Sequence, residues 1–302
     1  MKKISTSKFL SNSILILVII GTLLFALFPI YWTLTMSLKP AEEWAPAVTH
    51  WWPWNPSLEN YLPLFFERQT LIDWGVLQGW QEAIPDTAIK SITNSLILGI
   101  GGTALSMFIG TTAAYAMSRY KAGGNFMPYL FLTFRMLPPI AIMIPIVIWI
   151  STLGLIHPAL GMDSHLVMIL LYGLFPMPFV IWLMRSFFEE IPKEIDEAAL
   201  IDGCTPLTTF LRVILPLVKA GLAVTALFVF ILNWSDFMVA LIITRRLAIT
   251  IPVQIGLYST DYGFLYGIMA ALGIVALIPT IAFGLLIQRY LVRGFTFGAV
   301  KG

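Results

Sequence analysis

Residues 188–219 turn abruptly polar in a chain that is otherwise greasy, and that interruption constrains the fold more than anything else in the sequence. Residues 189–216 read E-E-I-P-K-E-I-D-E-A-A-L-I-D-G-C-T-P-L-T-T-F-L-R-V-I-L-P. A charged stretch of this length cannot lie in hydrocarbon, where each ionised side chain costs about 2.5–3.5 kcal/mol near the centre of a helix. Apolar runs flank it on both sides. It therefore forms a structured loop at a membrane surface, presented to water or to a partner.

The flanking runs set the fold class. Hydrophobic residues make up 58% of the 302 residues and charged residues 11%, less than half the charge of an average soluble domain. Runs near 12–34, 91–118, 126–152, 166–184, 220–243 and 264–288 are long enough to cross a bilayer, which takes roughly 20 residues. They are continuous apolar blocks without the alternation a membrane barrel needs. The expectation is an all-α polytopic membrane protein with six transmembrane helices.

Basic residues orient these spans. Twelve of the 18 lysines and arginines (Lys2, Lys3, Lys8, Arg119, Lys121, Arg185, Lys193, Arg212, Lys219, Arg289, Arg293 and Lys301) share the side of the N-terminus, against five on the other. The positive-inside bias puts both termini in the cytoplasm. The first apolar run is longer than the 7–15 residues of a signal peptide, and no small-residue cleavage site follows it promptly, so an uncleaved helix is expected. The first outer loop, 39–90, carries Trp44, Trp51, Trp52, Trp54, Trp74 and Trp80, residues that favour the water–lipid boundary. It is expected to lie partly along the outer face. A seam near residue 90 divides the chain into an N-terminal helix with its long periplasmic loop (1–90), a five-helix core (91–288) containing the 188–219 loop, and a cytoplasmic tail (289–302).

Local chemistry gives the polar island a shape. Pro192 opens a helix whose first turn carries Glu194 and Asp196, acids that complement the helix dipole. Gly203 supplies the positive φ that commonly ends a helix. Thr205-Pro206 restarts one, with threonine as cap and proline at the first position. Leu207, Phe210, Leu211 and Ile214 then recur at helical spacing as an apolar stripe. Two readings fit: a rigid knob gripped by a cytoplasmic partner, or an amphipathic helix resting on lipid headgroups.

Elsewhere, Gly102, Ser106, Gly110, Ala114 and Ser118 form a small-residue ladder that suits close helix packing, inside this subunit or against another. Pro138, Pro139 and Pro145 interrupt the third span, and Pro176 and Pro178 the fourth. Arg135, Asn233 and Asp236 are candidates for lining a translocation path. In Asn233-Trp234-Ser235-Asp236-Phe237 the two polar residues would share a helical face, although bracing of neighbouring helices serves equally well. His50, His157 and His165 read as solvated or boundary residues of outer loops. The only cysteine, Cys204, excludes an intrachain disulfide. No metalloprotease, serine-hydrolase, zinc-ligand or phosphate-loop signature occurs, so any ATP that energises the chain must bind to another polypeptide. An ion-coupled secondary transporter is the alternative from another class; its usual mid-membrane carboxylates are sparse here.

Glu197-Ala198-Ala199, three residues, Gly203, nine residues and Val213-Ile214-Leu215-Pro216 together resemble the E-A-A signature of permease subunits of ATP-driven, binding-protein-dependent (ABC) importers, with valine at the usual isoleucine position. Asp202 before the glycine also fits. Ser37-Leu38-Lys39-Pro40, Arg135-Met136-Leu137-Pro138-Pro139, Asn233-Trp234-Ser235-Asp236-Phe237 and the tail from Gln288 to Gly302 are similar to the carbohydrate-uptake branch, that of the maltose permease G component. Residues 66–88 lengthen the outer loop beyond the family's habit. The resemblance implies the type I ABC importer permease fold, in the inner membrane, without enzymatic activity of its own. It implies a second homologous permease, two ATPase subunits carrying ATP and Mg, a periplasmic or lipid-anchored solute-binding protein, surrounding lipid and no nucleic acid. It implies a coupling loop carried by Glu197, Ala198, Ala199, Asp202, Gly203, Phe210, Leu215 and Pro216, with Glu197 pairing with a basic ATPase residue and Gly203 holding the turn. The solute expected is a sugar, a polyol such as glycerol, or glycerol phosphate.

Overall fold

The computed structural model describes residues 6–44, 50–77, 87–124, 126–136, 138–260 and 263–298. Trp80 and Leu137 fall outside them, as do residues 299–302 of the tail. Helix α1 (Thr6–Ser37) leads to the short helices α2 (Leu62–Phe65) and α3 (Arg68–Asp73), then to the 32-residue α4 (Ile89–Tyr120). After α5 (Phe126–Met136) and α6 (Pro139–Ile156) come α7 (His165–Leu174) and α8 (Met177–Glu189). The polar island holds α9 (Lys193–Ile201), α10 (Pro206–Thr208), a π-helix (Thr209–Ile214) and α11 (Leu215–Leu217). The chain closes with α12 (Lys219–Trp234), α13 (Met238–Ile243), α14 (Ile251–Leu257), a two-strand hairpin and α15 (Tyr266–Gly298). In the hairpin, β1 (Ser259–Thr260) pairs antiparallel with β2 (Gly263–Phe264).

Among the described residues helix occupies most of each apolar run anticipated as a span, but not all six runs are unbroken rods. Among the described residues three helices are long and apolar enough to cross a membrane unbroken: Asn12–Ser37, Ile89–Tyr120 and Tyr266–Gln288. Counting two bent pairs as one span each gives up to five, against the six expected. The fourth run is a pair, Pro158–Leu174 and Met177–Glu189, bent by 42°. Pro176 and Pro178 cause the bend, standing at the N-cap and in the first turn of α8, where a missing N–H is harmless. The third run is split: α5 ends at Met136 and Pro139 opens α6, whereas Pro145 sits inside α6 without ending it. Ile140–Ile156 is a shorter apolar helix. The fifth run takes in α12 and α13 with a break at 235–237, and α12 meets Pro206–Leu217 at 81°, too sharp for those two to cross as one rod. The last helix runs on to Gly298, ten residues past the expected end of the span at 288.

Packing groups the chain into two units, residues 1–89 with 255–277, and residues 90–254 with 278–302. In the first, Asn60 is buried and donates to the carbonyls of Ser37 and Lys39. Trp44 donates its indole N–H to Lys39 at 3.0 Å.

In the second unit the small-residue ladder is buried throughout. A Cβ on Gly102 would stand 2.4 Å from Tyr172 Cβ, and one on Gly110 2.7 Å from Val180 Cβ. The ladder therefore lets α4 pack tightly on α7 and α8 within this one chain. One apolar cluster at the Arg119 end of α4 includes Tyr115, Val180, Met184, Phe188, Phe210 and Ile214. A second, nearer its Asn94 end, includes Leu98, Met143, Met168, Tyr172, Ala240 and Ile243.

Candidate functional site

The polar island folds as a capped knob. Pro192 is the N-cap of α9, and Glu194 and Asp196 occupy the first turn. At the other end Gly203 has φ +89°. Cys204 N–H reaches back to Ala199 O at 3.0 Å, and Gly203 N–H to Leu200 O at 3.1 Å. These two bonds form a Schellman motif. Thr205 then caps the next helix by accepting from Thr208 N–H at 3.3 Å, with Pro206 in its first turn.

The expected amphipathic α-helix after Thr205 needs correction: residues 209–214 are π-helical. Pro216 supplies a physical reason, since it has no N–H and its ring crowds the carbonyl of residue 212. A locally wider turn relieves that conflict. The stripe consequently divides. Phe210 and Ile214 are buried, whereas Leu207 and Leu211 remain 66% and 50% exposed.

Asp196 roots the knob in the transmembrane part of the chain. Its Oδ1 accepts the Tyr115 hydroxyl at 2.7 Å. Its Oδ2 lies 2.9 Å from Arg119 Nε, both side chains almost wholly buried. The Arg119 N–H is not aimed along that contact, so charge rather than hydrogen-bond direction holds the pair. Arg119 Nη2 also donates to Ile191 O at 3.0 Å. Tyr115 lies tilted against Phe210 at 4.7 Å between centroids and meets Phe188 edge-on at 5.5 Å.

The E-A-A signature is thereby sorted by direction. Ala199 and Phe210 face inward, Leu215 is half-buried, and Glu197, Ala198, Asp202, Gly203 and Pro216 are exposed. Beside them Ile201 is 86% exposed, on the most polar stretch of the chain. Sequence reasoning placed Asp196 in a first turn only and missed it as the anchor.

A second polar group lies within the core. Asn233 is buried and donates to Thr103 Oγ1 at 3.4 Å. Asp236 accepts from the Tyr172 hydroxyl and from Ala240 N–H, each at 3.1 Å. The expectation that 233 and 236 share a helical face fails, because α12 ends at Trp234. Asp236 lies in the break, one residue before Phe237, the N-cap of α13, and accepts an N–H of that helix's first turn. Ser235 helps to end the helix by bonding back to Ile231 O at 2.7 Å, a local competition typical of short polar side chains. Arg135 belongs to α5, and its side chain lies outside the described residues.

A third constellation went unread in the sequence. Asp163, at φ +63°, accepts four backbone N–H groups, from Arg245, Arg246, Leu247 and Ala248, at 2.8–3.0 Å. Burial opposes its charge, but those four donors hold the carboxyl below its ordinary value. Asn94 donates to the carbonyls of Leu247 and Ile249 at 2.8 and 2.9 Å. Its Oδ1 stands 2.7 Å from His165 Nε2; with the amide nitrogen already donating, the imidazole must donate here. Ser95 Oγ accepts Ile251 N–H at 2.8 Å. This clasp fixes segment 245–251 to the Asn94 end of α4. His165 is thus a half-buried brace rather than a solvated residue, while His157 is exposed and accepts Ala159 N–H at its own turn. The one sequence-level hint was charge: Asp163 and the Arg245-Arg246 pair both sit in short loops between apolar runs.

The family described as "Binding-protein-dependent transport system inner membrane component" matches residues 102–297. The trehalose transport system permease protein SugB of Mycobacterium tuberculosis is 33% identical over 285 residues, 92% of this chain and 93% of that protein. The trehalose/maltose transport system permease protein MalG of Thermococcus litoralis is 32% identical over 95% of this chain and 97% of its own. Among solved structures, a bacterial ABC transporter involved in import of the acidic polysaccharide alginate aligns with TM-score 0.72 at 22% identity, over 96% of this chain and 99% of that one. That likeness shows the fold.

Proposed function

We propose, from the premise that the chain belongs to the family of binding-protein-dependent transport system inner membrane components, that it carries a small hydroxylated solute inward under the drive of ATP hydrolysed on separate subunits. It is an importer permease and not an enzyme. The solute is a sugar or polyol, glycerol and glycerol phosphate included. The relatives named for trehalose and maltose support that class.

The observation that carries the reading is the capped, rooted knob with an exposed tip. Motion applied to a floppy loop would dissipate, whereas α9 is closed by a Schellman turn and fastened to α4 through Asp196. The exposed Ile201 and Leu207 are apolar area that a partner would cover. In this reading a groove of an ATPase grips Glu197, Ala198, Asp202 and Gly203, and Glu197 pairs with a base there. A second homologous permease, two ATPases holding ATP and Mg, and a solute-binding protein complete the assembly. The positive-inside bias supports an inner-membrane orientation with both termini cytoplasmic. Residues 1–90 then form the first span and its outer loop, 91–288 the translocating core, and 289–302 a cytoplasmic end.

Helix α4 serves as the strut. Its 32 residues reach about 48 Å, fastened to the knob at Tyr115 and Arg119 and to segment 245–251 at Asn94 and Ser95. A push on α9 is delivered to the opposite face through one rigid element. Solute meets the polar group of Asn233, Asp236 and Tyr172, with Arg135 bordering the same route.

ATP-driven uptake in vesicles containing the assembled transporter tests the reading. Uptake should need ATP, be blocked by vanadate and persist in the presence of proton uncouplers. Uptake abolished by the uncoupler with ATP present would instead indicate ion coupling.

A further inference from the structure

Three indoles are held out from the first unit on a segment that is itself tied down. Tyr31 donates its hydroxyl to Trp51 O at 2.7 Å. The Trp51 ring meets Phe28 and Trp32 edge-on, with centroids 6.1 Å apart in each case. Lys39 Nζ, almost fully buried, donates to His50 O at 2.8 Å and lies 4.9 Å from the Trp32 ring. The backbone N–H of Trp54 points at the Glu43 carboxylate at 3.2 Å, and the His50 and Trp54 rings sit 4.2 Å apart. Despite these ties Trp51, Trp52 and Trp54 are 65%, 52% and 72% exposed.

Their height relative to a bilayer follows from α1. Over Asn12–Ser37 this helix is apolar and long enough to cross a membrane, and none of its most hydrophobic window is buried within this chain. Lys8 and Lys39 bound its uncharged stretch, whose roughly 45 Å at 1.5 Å per residue equals a bilayer with its headgroups, about 40–45 Å. Phe28, Tyr31 and Trp32, which grip Trp51, stand roughly 10–16 Å inward of Lys39 along the axis. The indoles are therefore fixed near the boundary between headgroups and acyl chains, where a ring with one polar N–H is most at home. No charged residue occurs between Trp44 and Glu59, so the surface lacks the charge that steers a soluble partner.

We propose that Trp51, Trp52 and Trp54 form an indole foot seated in the phospholipid leaflet at the Ser37 end of α1. In the orientation given above this is the outer leaflet. The foot sets the depth and rotation of α1. It is independent of which solute is carried.

The test uses the assembled transporter in nanodiscs of phosphatidylethanolamine and phosphatidylglycerol, with Cys204→Ser removing the native thiol and Trp52→Cys carrying an environment-sensitive dye. The dye should be quenched several-fold more strongly by spin labels at the headgroup or acyl carbon 5 than at carbon 12, and hardly at all by aqueous iodide. Trp54→Cys reads the same boundary if the first variant fails to assemble. Free access of iodide in the resting transporter would overturn the proposal. So would shielding from iodide that arises only on adding the solute-binding protein, which would mark a protein-docking surface instead.

Discussion

Tyr115 and Asp196 are separated by 81 positions in the chain, yet the hydroxyl of one meets the carboxylate of the other at 2.7 Å. With Arg119 on the same carboxylate, this contact converts a surface loop into an extension of a transmembrane helix.

Removing the anchor should therefore loosen the knob. Asp196→Ala leaves Arg119 buried without its counter-charge, a change that costs about 3–5 kcal/mol. Tyr115→Phe removes one hydrogen bond to a charged group, about 1.5–3 kcal/mol. Uptake should fall in that order, and denaturant unfolding of the purified permease should show the same ranking. Equal, negligible effects would mean that the knob is held mainly by Phe210 and Ile214.

Gly203 offers a cleaner perturbation, because nothing lies within 4 Å of the place a Cβ would occupy. Within this chain a substitution there meets no neighbour and is strained only by its φ of +89°. Left-handed backbone costs an ordinary L-residue about 1–2 kcal/mol, and asparagine less. Gly203→Asp is expected to insert and assemble while ATP hydrolysis no longer drives uptake, and Gly203→Asn to be milder than Gly203→Ala. Normal uptake by Gly203→Asp at normal expression would remove this turn from the coupling path.

The α4 ladder should tolerate nothing larger than it has. Gly102→Leu would drive a side chain into Tyr172, where even a Cβ stands 2.4 Å away. Overpacking of this kind costs about 1–3 kcal/mol. Thermal unfolding in detergent should drop clearly for Gly102→Leu, and little for a substitution at Gly124, whose Cβ would meet open space, once the strain of its own positive φ is matched by using asparagine there.

These positions differ in how far the sequence announced them. Gly203 and Thr205-Pro206 were legible because cap chemistry is local: a positive φ, a hydroxyl facing an N–H and a proline in a first turn each need only neighbours in the chain. The spans were legible for the same reason, since lipid demands long uncharged runs. Asp196 was not, because its partners arrive from a helix more than seventy positions upstream and no periodicity encodes that pairing. The Asp163 clasp is the same case, with donors more than eighty positions away. Asp236 misled for another reason: Ser235 and Asp236 take up backbone groups locally and break α12, so the assumed helical register stops before it reaches them.

Asp163 predicts a pH dependence with a definite sign. Its four donors hold the folded carboxyl below its ordinary value of 3.8, so the clasp contributes stability that is fully present above that value. The contribution is lost as pH falls from there through the lower folded-state value. The melting temperature of the parent should approach that of Asp163→Asn on acidification and exceed it at neutral pH. A constant gap between the two across that range would deny the carboxylate its role.

Central to all of this is the claim that an ATPase subunit grips the knob, and the chain carries its own probe beside Gly203. Cys204 is the only cysteine and is partly accessible. In the assembled transporter, a short bifunctional reagent should link Cys204 to a cysteine introduced in the ATPase surface groove, with a yield that changes between ATP-bound and nucleotide-free states. Efficient labelling of Cys204 by lipid-borne reagents, with no link to the ATPase in either state, would contradict the account.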